Sequence, residues 1–247
     1  MDVALFVPCF IDVVFPKVGI ATLELLEKLG VRVHVPLEQT CCGQPMATAG
    51  CHAEAAAAEA LFVKNFAGYD YVVGPSASCV HHIRRHLFAI EQTAAVRHVR
   101  ARTFELVEFL HDVLGVRDFP WARLDRTIGL HNSCSALRGL DQGATSETPE
   151  KRVSKARTLL EGVAGIRFAE PQRPDECCGF GGIFSVFEEA VSVRMGEDKV
   201  RDHAMAGAEM IVSADMSCLM HQQGCAQRRG TGMQFAHIAE VLNGWQP

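Results

Sequence analysis

The sequence predicts an α/β protein of two pseudo-symmetric lobes, each a small parallel sheet with flanking helices. Three observations predict this fold class: strand and helix patterns alternate along the chain, their order repeats, and one cysteine pattern occurs in both halves. Alternating strands and helices favour parallel sheets whose faces are covered by helices. We therefore expect a duplicated cysteine-rich domain, with the first copy at residues 1–118 and the second at 126–247.

The first half shows the two periodicities that separate strands from helices. Short apolar runs predict strands over residues 3–8, 31–35 and 69–74. Helical spacing or high helix propensity predicts helices over residues 17–29, 52–66, 80–87 and 104–114. Gly30 and Gly115 follow two of these helices, as expected at helix ends.

The second half repeats this order. Strands are predicted over residues 127–130, 166–169 and 210–213, and helices over residues 149–160, 183–202 and 235–242. Residues 73–79 align without a gap with residues 212–218. The segment 116–126, which carries Pro120 and a group of charged residues, is the expected boundary between the copies.

Eight of the ten cysteines belong to the repeated pattern, which is a single cysteine, a Cys-Cys-Gly triplet and another single cysteine. The copies are Cys9, Cys41-Cys42-Gly43 and Cys79, then Cys134, Cys177-Cys178-Gly179 and Cys218. Each element of the pattern follows a predicted strand. Ligands gather at the carboxyl ends of strands in open parallel sheets, so four thiols should converge in each half.

Adjacent cysteines favour a metal cluster over a single zinc ion. Structural zinc sites use cysteines separated by two to four residues, which lets both thiolates turn towards one metal. Neighbouring thiolates can instead reach different irons of an iron–sulfur cluster, which is typically held by four cysteines. Gly43 and Gly179 would let the backbone approach such a cluster. Zinc remains an alternative on the sequence alone.

Composition and targeting signals limit the classes of function. A net charge of −5 gives no reason to expect nucleic acid as a partner. The sequence holds no apolar run of the length that spans a bilayer, so no transmembrane segment is expected. The N-terminus lacks the basic region and cleavage pattern of a signal peptide. We expect a cytoplasmic protein, in which thiols stay reduced and serve metals or catalysis.

The cysteine motifs resemble those of a known family. The CCG repeat is similar to that of the cysteine-rich subunit of heterodisulfide reductase and of the glycolate oxidase iron–sulfur subunit. The lactate utilization protein A (LutA/YkgE) family is more similar still. The segments that carry the resemblance span nearly the whole chain, at residues 25–30, 41–45, 74–79, 177–185, 214–218 and 237–242.

The resemblance implies iron ligation by Cys9, Cys41, Cys42, Cys79, Cys134, Cys177, Cys178 and Cys218. It also implies a [4Fe–4S] cluster in each half, so one or two per chain. The family's role is the oxidation of L-lactate to pyruvate, together with companion lactate-utilization proteins, one of which is another iron–sulfur protein.

Two histidines mark a departure from heterodisulfide reductase, in which the last element is Cys-x-x-Cys. Here His82 and His221 replace the final cysteine, which argues against that enzyme's five-cysteine cluster. We expect both histidines, like Gly43 and Gly179, to lie around the cluster without ligating it; ligation of iron by their imidazoles is the alternative. Cys51 and Cys225 have no partner in the repeat and are expected to act as small apolar residues.

Three functions remain open on the sequence. The first is an iron–sulfur electron-transfer subunit of a lactate-oxidising complex, since the chain shows no flavin or nicotinamide fingerprint. The second is a thiol–disulfide redox enzyme similar to heterodisulfide reductase. The third is a zinc-stabilised interaction module. On the first hypothesis the chain is a non-flavin oxidoreductase subunit that acts only within a complex.

Overall fold

A computed structural model describes residues 1–148 and 152–245. The chain divides into two compact units, Met1–Leu114 and Gly115–Pro247. The segment 116–126, expected as the boundary, lies within the second unit. Each unit is built on a parallel sheet of its own.

The first sheet has four parallel strands in the order β2-β1-β3-β4. These strands are β1 (Asp2–Leu5), β2 (Arg32–His34), β3 (Tyr71–Gly74) and β4 (Thr103–Glu105). The central pair, β1 and β3, is buried and apolar, as expected of strands covered on both faces.

The second sheet has the same order, β6-β5-β7-β8, and is also parallel throughout. Its strands are β5 (Thr127–Leu130), β6 (Arg167–Ala169), β7 (Met210–Ser213) and β8 (Gln234–His237). The shared strand order confirms the predicted fold class of two small parallel sheets with flanking helices, arranged as a duplication.

Helices connect the strands of the first unit. They are α1 (Cys9–Val14), α2 (Pro16–Lys28), α3 (Gln44–Thr48), α4 (His52–Phe66), α5 (Ala77–His86), α6 (Ala94–Arg102) and α7 (Leu106–Glu108). A π-helical turn, Phe109–Val113, continues α7. Ser76 caps α5 by accepting a hydrogen bond from the backbone N–H of Cys79.

The second unit has the corresponding helices. A π-helical turn, Ser135–Gly139, follows β5. The helices are α8 (Lys155–Glu161), α9 (Phe184–Phe187), α10 (Glu189–Met205), α11 (Met216–Arg229) and α12 (Ile238–Leu242). Asp215 caps α11 as Ser76 caps α5, by accepting from a backbone N–H of the first turn.

Several predicted elements were wrong in type or extent. The helices predicted over residues 104–114 and 235–242 each contain most of a fourth strand, β4 or β8, before the helix begins. The long helix predicted over 183–202 is interrupted at Glu188. The helix predicted from residue 149 begins at Lys155, capped by Ser154, and residues 149–151 lie outside the described part of the chain.

Candidate functional site

The first four cysteines lie beyond the carboxyl ends of β1, β2 and β3. Cys9 is the first residue of α1, and Cys41 and Cys42 lie between β2 and α3. Cys79 is the third residue of α5, because that helix begins at Ala77 and not at the predicted residue 80. Cys79 therefore lies in the first turn of the helix, near the positive end of the helix dipole.

The structure brings these four thiols together. Cys9 and Cys41, Cys41 and Cys42, and Cys42 and Cys79 lie close enough to shift one another's pKa values. The backbone N–H of Gly43 also points at the Cys41 sulfur, with the nitrogen 3.4 Å from Sγ. The first unit thus gathers four sulfurs at one edge of its sheet.

The second four cysteines form the same arrangement. Cys134 and Cys177, Cys177 and Cys178, and Cys178 and Cys218 lie close enough to shift one another's pKa values. The Gly179 nitrogen lies 3.3 Å from the Cys177 sulfur, matching the contact in the first unit. Two separate sets of four converging thiols result, one in each unit.

Exposure decreases in the same order through both sets. Cys9 and Cys134 are exposed, and the first cysteine of each pair is half-buried. The second cysteine of each pair and the helical cysteine are buried, at Cys42, Cys79, Cys178 and Cys218. A group held by such a set would be anchored in the protein and would keep one side near solvent.

One thiol in each set favours the thiolate form. Hydrogen bonds from Cys42 and Cys9 hold the pKa of Cys41 far below its ordinary value, with help from the Gly43 N–H. Hydrogen bonds from Cys134 and Cys178 do the same for the pKa of Cys177. Metals bind the thiolate, so Cys41 and Cys177 favour the form that a metal ligand requires.

The glycine after each cysteine pair has a left-handed backbone. The φ angles are 92° at Gly43 and 87° at Gly179, a region that other residues rarely adopt. A Cβ at Gly179 would also lie 2.5 Å from the Met195 Cβ and 2.7 Å from the Ser192 carbonyl oxygen. These glycines let the loop turn directly after the cysteine pair, while their own N–H groups point at the first sulfur of the pair.

His82 lies on α5 one turn after Cys79, but its ring faces a carboxyl group. Its Nε2 is 3.6 Å from Oε1 of Glu59, and both side chains are buried. Burial lowers the pKa of His82 to about 4 and raises the pKa of Glu59. His82 is therefore a neutral neighbour of the thiols, packed between Glu59 and the site.

His221, the counterpart of His82, is engaged elsewhere. Its Nε2 lies 3.0 Å from the backbone carbonyl oxygen of Ser192, to which the ring N–H donates. Gly196 makes this contact possible, because a Cβ there would lie 2.7 Å from the same nitrogen. The ring is thus held against α10.

His131 is a site residue that the sequence reasoning missed. Its ring, Cys178 and Cys218 offer three ligand atoms that all lie within 4.8 Å of one another, and all three residues are buried. The signal was present in the sequence, because His131 stands three residues before Cys134 just as Phe6 stands three before Cys9. The first unit has an aromatic ring where the second has a potential ligand.

The two cysteines outside the repeat lie apart from these sets. Cys51 is exposed and immediately precedes α4. Cys225 is buried on α11, with its sulfur 3.8 Å from the carbonyl oxygen of Val193 on α10. Cys225 thus fills a helix–helix contact, as a small apolar residue does.

The donor chemistry of both sets fits an iron–sulfur cluster. Each supplies four soft sulfur ligands, two of them adjacent in sequence, together with a backbone N–H aimed at sulfur. Hydrogen bonds to cluster sulfurs are among the factors that set cluster potentials. The thiols suit zinc as well, so the donor set indicates a metal or cluster site without selecting the metal.

Comparisons with known proteins identify the repeat. The family model of the CCG cysteine-rich domain matches this chain twice, at residues 3–84 and 128–223. In the described part of the chain, no helix combines the length and apolar character needed to cross a membrane.

Curated relatives match over almost the entire chain. "Lactate utilization protein A" of an Exiguobacterium species is 42% identical, over 98% of this chain and 97% of its own length. The proteins of the same name from Halalkalibacterium halodurans and Geobacillus kaustophilus are 38% and 39% identical, each over 98% of this chain. They cover 97% and 99% of those proteins.

A solved structure, LsrB from Clostridium saccharobutylicum in complex with AI-2, has a TM-score of 0.30 and 13% identity. The match covers 96% of this chain and 70% of that one, and a score this low assigns neither fold nor ligand.

Proposed function

We propose that this chain, which belongs to the lactate utilization protein A family, is an iron–sulfur electron-transfer subunit of a complex that oxidises L-lactate to pyruvate. The observation that carries the proposal is the convergence of four thiols in each unit, graded from exposed to buried. The family's curated members carry the lactate-utilization name, which supports the substrate.

The eight cysteines of the repeat are the proposed ligands, with a [4Fe–4S] cluster in each unit. Cys9, Cys41, Cys42 and Cys79 would hold one cluster, and Cys134, Cys177, Cys178 and Cys218 the other. Such a cluster supplies reversible one-electron chemistry when bound. Lactate oxidation to pyruvate releases two electrons and two protons, so two one-electron centres in one chain suit this reaction.

The residues around the thiols have supporting roles. The N–H groups of Gly43 and Gly179 would stabilise the sulfur charge of the reduced state. The buried cysteines keep water from most of each centre, while Cys9 and Cys134 leave one edge exposed. Electrons would enter and leave at that edge.

An electron-transfer subunit needs partners, and the surface near the second centre suits one. Val186 and Phe187, at the end of α9, are 75% and 78% exposed. Exposed apolar side chains of this kind favour protein contacts. In the first unit, the basic end of α5, around Arg85 and His86, is a second candidate surface. The proposed partners are the companion lactate-utilization proteins, one of them an iron–sulfur protein, in the cytoplasm.

Three measurements test this function. Anaerobically purified chain should contain iron and acid-labile sulfide in equal amounts, whereas zinc without sulfide would indicate the interaction module. Lactate-dependent dye reduction should require the companion proteins and should fall to background with the isolated chain. Turnover by the isolated chain would make it the catalytic subunit, and disulfide reduction with a low-potential donor would favour the thiol–disulfide enzyme.

A further inference from the structure

His131 occupies in the second unit the place that Phe6 occupies in the first. The backbone N–H of each donates a hydrogen bond to the neighbouring central strand, Phe6 to Val73 and His131 to Val212, at 2.8 Å in both cases. Val73 and Val212 are themselves matched in the ungapped alignment of residues 73–79 with 212–218. The two side chains therefore leave equivalent strands in equivalent directions.

The surroundings of these side chains differ between the units. In the first unit, the Phe6 ring packs edge-on against Phe62 at 5.1 Å and Phe66 at 5.8 Å between centroids. These three rings form an apolar layer beneath the thiols. A layer of this kind offers no ligand atom.

In the second unit, α10 takes the place of α4 and carries polar side chains instead. A Cβ at Gly43 would face Ala55 and Glu59, whereas one at Gly179 would face Ser192 and Gly196. These contacts align Ala55 with Ser192 and Glu59 with Gly196. The same alignment of the two helices pairs Phe62 with Lys199 and Phe66 with His203, and all four of these side chains are buried.

The imidazole of His131 lacks the hydrogen bonds that a buried polar group normally makes. The residue is 1% exposed, and neither ring nitrogen has a hydrogen-bond partner within the described part of the chain. A buried polar group without a partner destabilises the fold, because it has lost its hydrogen bonds to water. Its ligand atom lies within 4.8 Å of the sulfurs of Cys178 and Cys218, so a metal bound there would satisfy it.

We propose that His131 is a nitrogen ligand of the centre in the second unit, which is thereby chemically distinct from the all-sulfur centre of the first. This inference rests on the proposed iron–sulfur function. Imidazole suits iron, so His131 adds a neutral nitrogen donor beside the thiolates of the second unit. The second centre therefore differs from the first in its donor set.

The Phe at position 6 and the His at position 131 would thus be the residues that make the duplicated centres unequal.

The test is spectroscopic and uses the full chain labelled with ¹⁵N-histidine, assembled anaerobically with iron and sulfide. Pulsed electron paramagnetic resonance of the reduced protein should detect a directly coordinated ¹⁵N. His131→Phe, which introduces the first unit's residue, should abolish that coupling, and His131→Gln should abolish it with less change in packing. His203→Phe is the matched control, since His203 is a buried neighbour outside the donor group, and it should keep the coupling.

The outcomes separate the two proposals. Wild-type protein that assembles clusters with no coordinated nitrogen overturns the role of His131 and leaves the proposed function standing. A coupling that survives both His131 variants likewise overturns it. Wild-type protein that assembles no cluster at all overturns the proposed function, and the His131 ligation falls with it.

Discussion

Oε1 of Glu59 lies 3.6 Å from Nε2 of His82, and both side chains are buried beside the first set of thiols. The distance would permit an ion pair. Burial, however, raises the pKa of Glu59 and lowers that of His82 to about 4, so both groups favour their neutral forms. The other Glu59 oxygen accepts a hydrogen bond from the Ala89 N–H at 2.9 Å.

A neutral pair predicts that Glu59→Gln is tolerated and Glu59→Ala is not. Glutamine keeps an oxygen for the Ala89 N–H and a neutral polar group beside His82, whereas alanine leaves the part-buried Ala89 N–H without a partner. We expect Glu59→Ala to lower the free energy of unfolding by about 1–3 kcal/mol and Glu59→Gln by much less.

Urea unfolding of the metal-free chain measures the free energy of unfolding of both variants. A true buried ion pair would respond differently, because loss of one charge from such a pair costs about 3–5 kcal/mol. Equal and large losses in Glu59→Gln and Glu59→Ala would therefore contradict the neutral assignment.

We expect the folded chain to lose stability in acid, because the second unit contains buried histidines. Burial lowers the pKa of His203 to about 4, against an ordinary value of 6.5. The unfolded chain then binds more protons than the folded chain below pH 6.5, so stability is lost as the pH falls from 6.5 towards 4. The shift corresponds to at most about 3 kcal/mol for this residue.

The measurement is urea unfolding of the metal-free chain at about pH 7.5 and about pH 5, on either side of the ordinary histidine pKa. His203→Phe should reduce the difference in unfolding free energy between the two pH values. His98, which is exposed, provides the control, and His98→Gln should leave the difference unchanged. An unaltered pH dependence in His203→Phe would show that His203 is protonated in the folded chain.

The duplicated fold could be predicted from the sequence because the cysteine pattern and the order of the apolar strand segments both repeat in the second half. The strands Thr127–Leu130 and Met210–Ser213 match their predicted bounds, since each is a short apolar run. The edge strands β4 and β8 were missed for a physical reason. Each is only three or four residues long and passes directly into a helix, so periodicity cannot separate the two elements.

The site was predictable in its thiols and less so in its histidines. A cysteine pattern specifies its own chemistry, but a histidine becomes a ligand only through its surroundings. His82 and His221 align in sequence, yet Glu59 stands beside one and Gly196 beside the other. His131 was not predicted as a site residue because the equivalent position in the first half of the repeat holds Phe6, which offers no ligand atom.

Alanine in place of the glycine that follows each cysteine pair should lower the free energy of unfolding by different amounts in the two units. Gly43 and Gly179 both have positive φ, which costs a residue with a Cβ about 1–2 kcal/mol. At Gly43 the nearest atom to an added Cβ lies at 3.5 Å, but at Gly179 backbone and side-chain atoms lie at 2.5–2.7 Å. We expect Gly179→Ala to destabilise the metal-free chain more than Gly43→Ala does.

Gly50→Ala isolates the backbone contribution to this difference. Its φ is 81°, and a Cβ there would meet no atom of the described chain within 4 Å. Urea unfolding should rank the three variants with Gly179→Ala as the least stable and Gly50→Ala near Gly43→Ala. A loss in Gly179→Ala no larger than in Gly50→Ala would mean that α10 shifts freely to accept the methyl group.

Substitution of single cysteines tests the ligand assignment. Cys42 is 2% exposed and lies close to Cys41 and Cys79, whereas Cys51 is exposed and stands outside the repeat. Serine is a poorer ligand than thiolate for an iron–sulfur centre. With a four-cysteine cluster in each unit, Cys42→Ser should lose about half of the iron, and Cys51→Ser should lose none.

Iron content and the brown absorbance of anaerobic preparations provide the readout. Cys178→Ser, the equivalent change in the second unit, should also remove about half of the iron, and the double variant should remove nearly all of it. Because the thiol sets lie in separate units, the losses should add. Full iron in Cys42→Ser would exclude Cys42 as a ligand, and complete loss in either single variant would mean that one cluster depends on cysteines from both units.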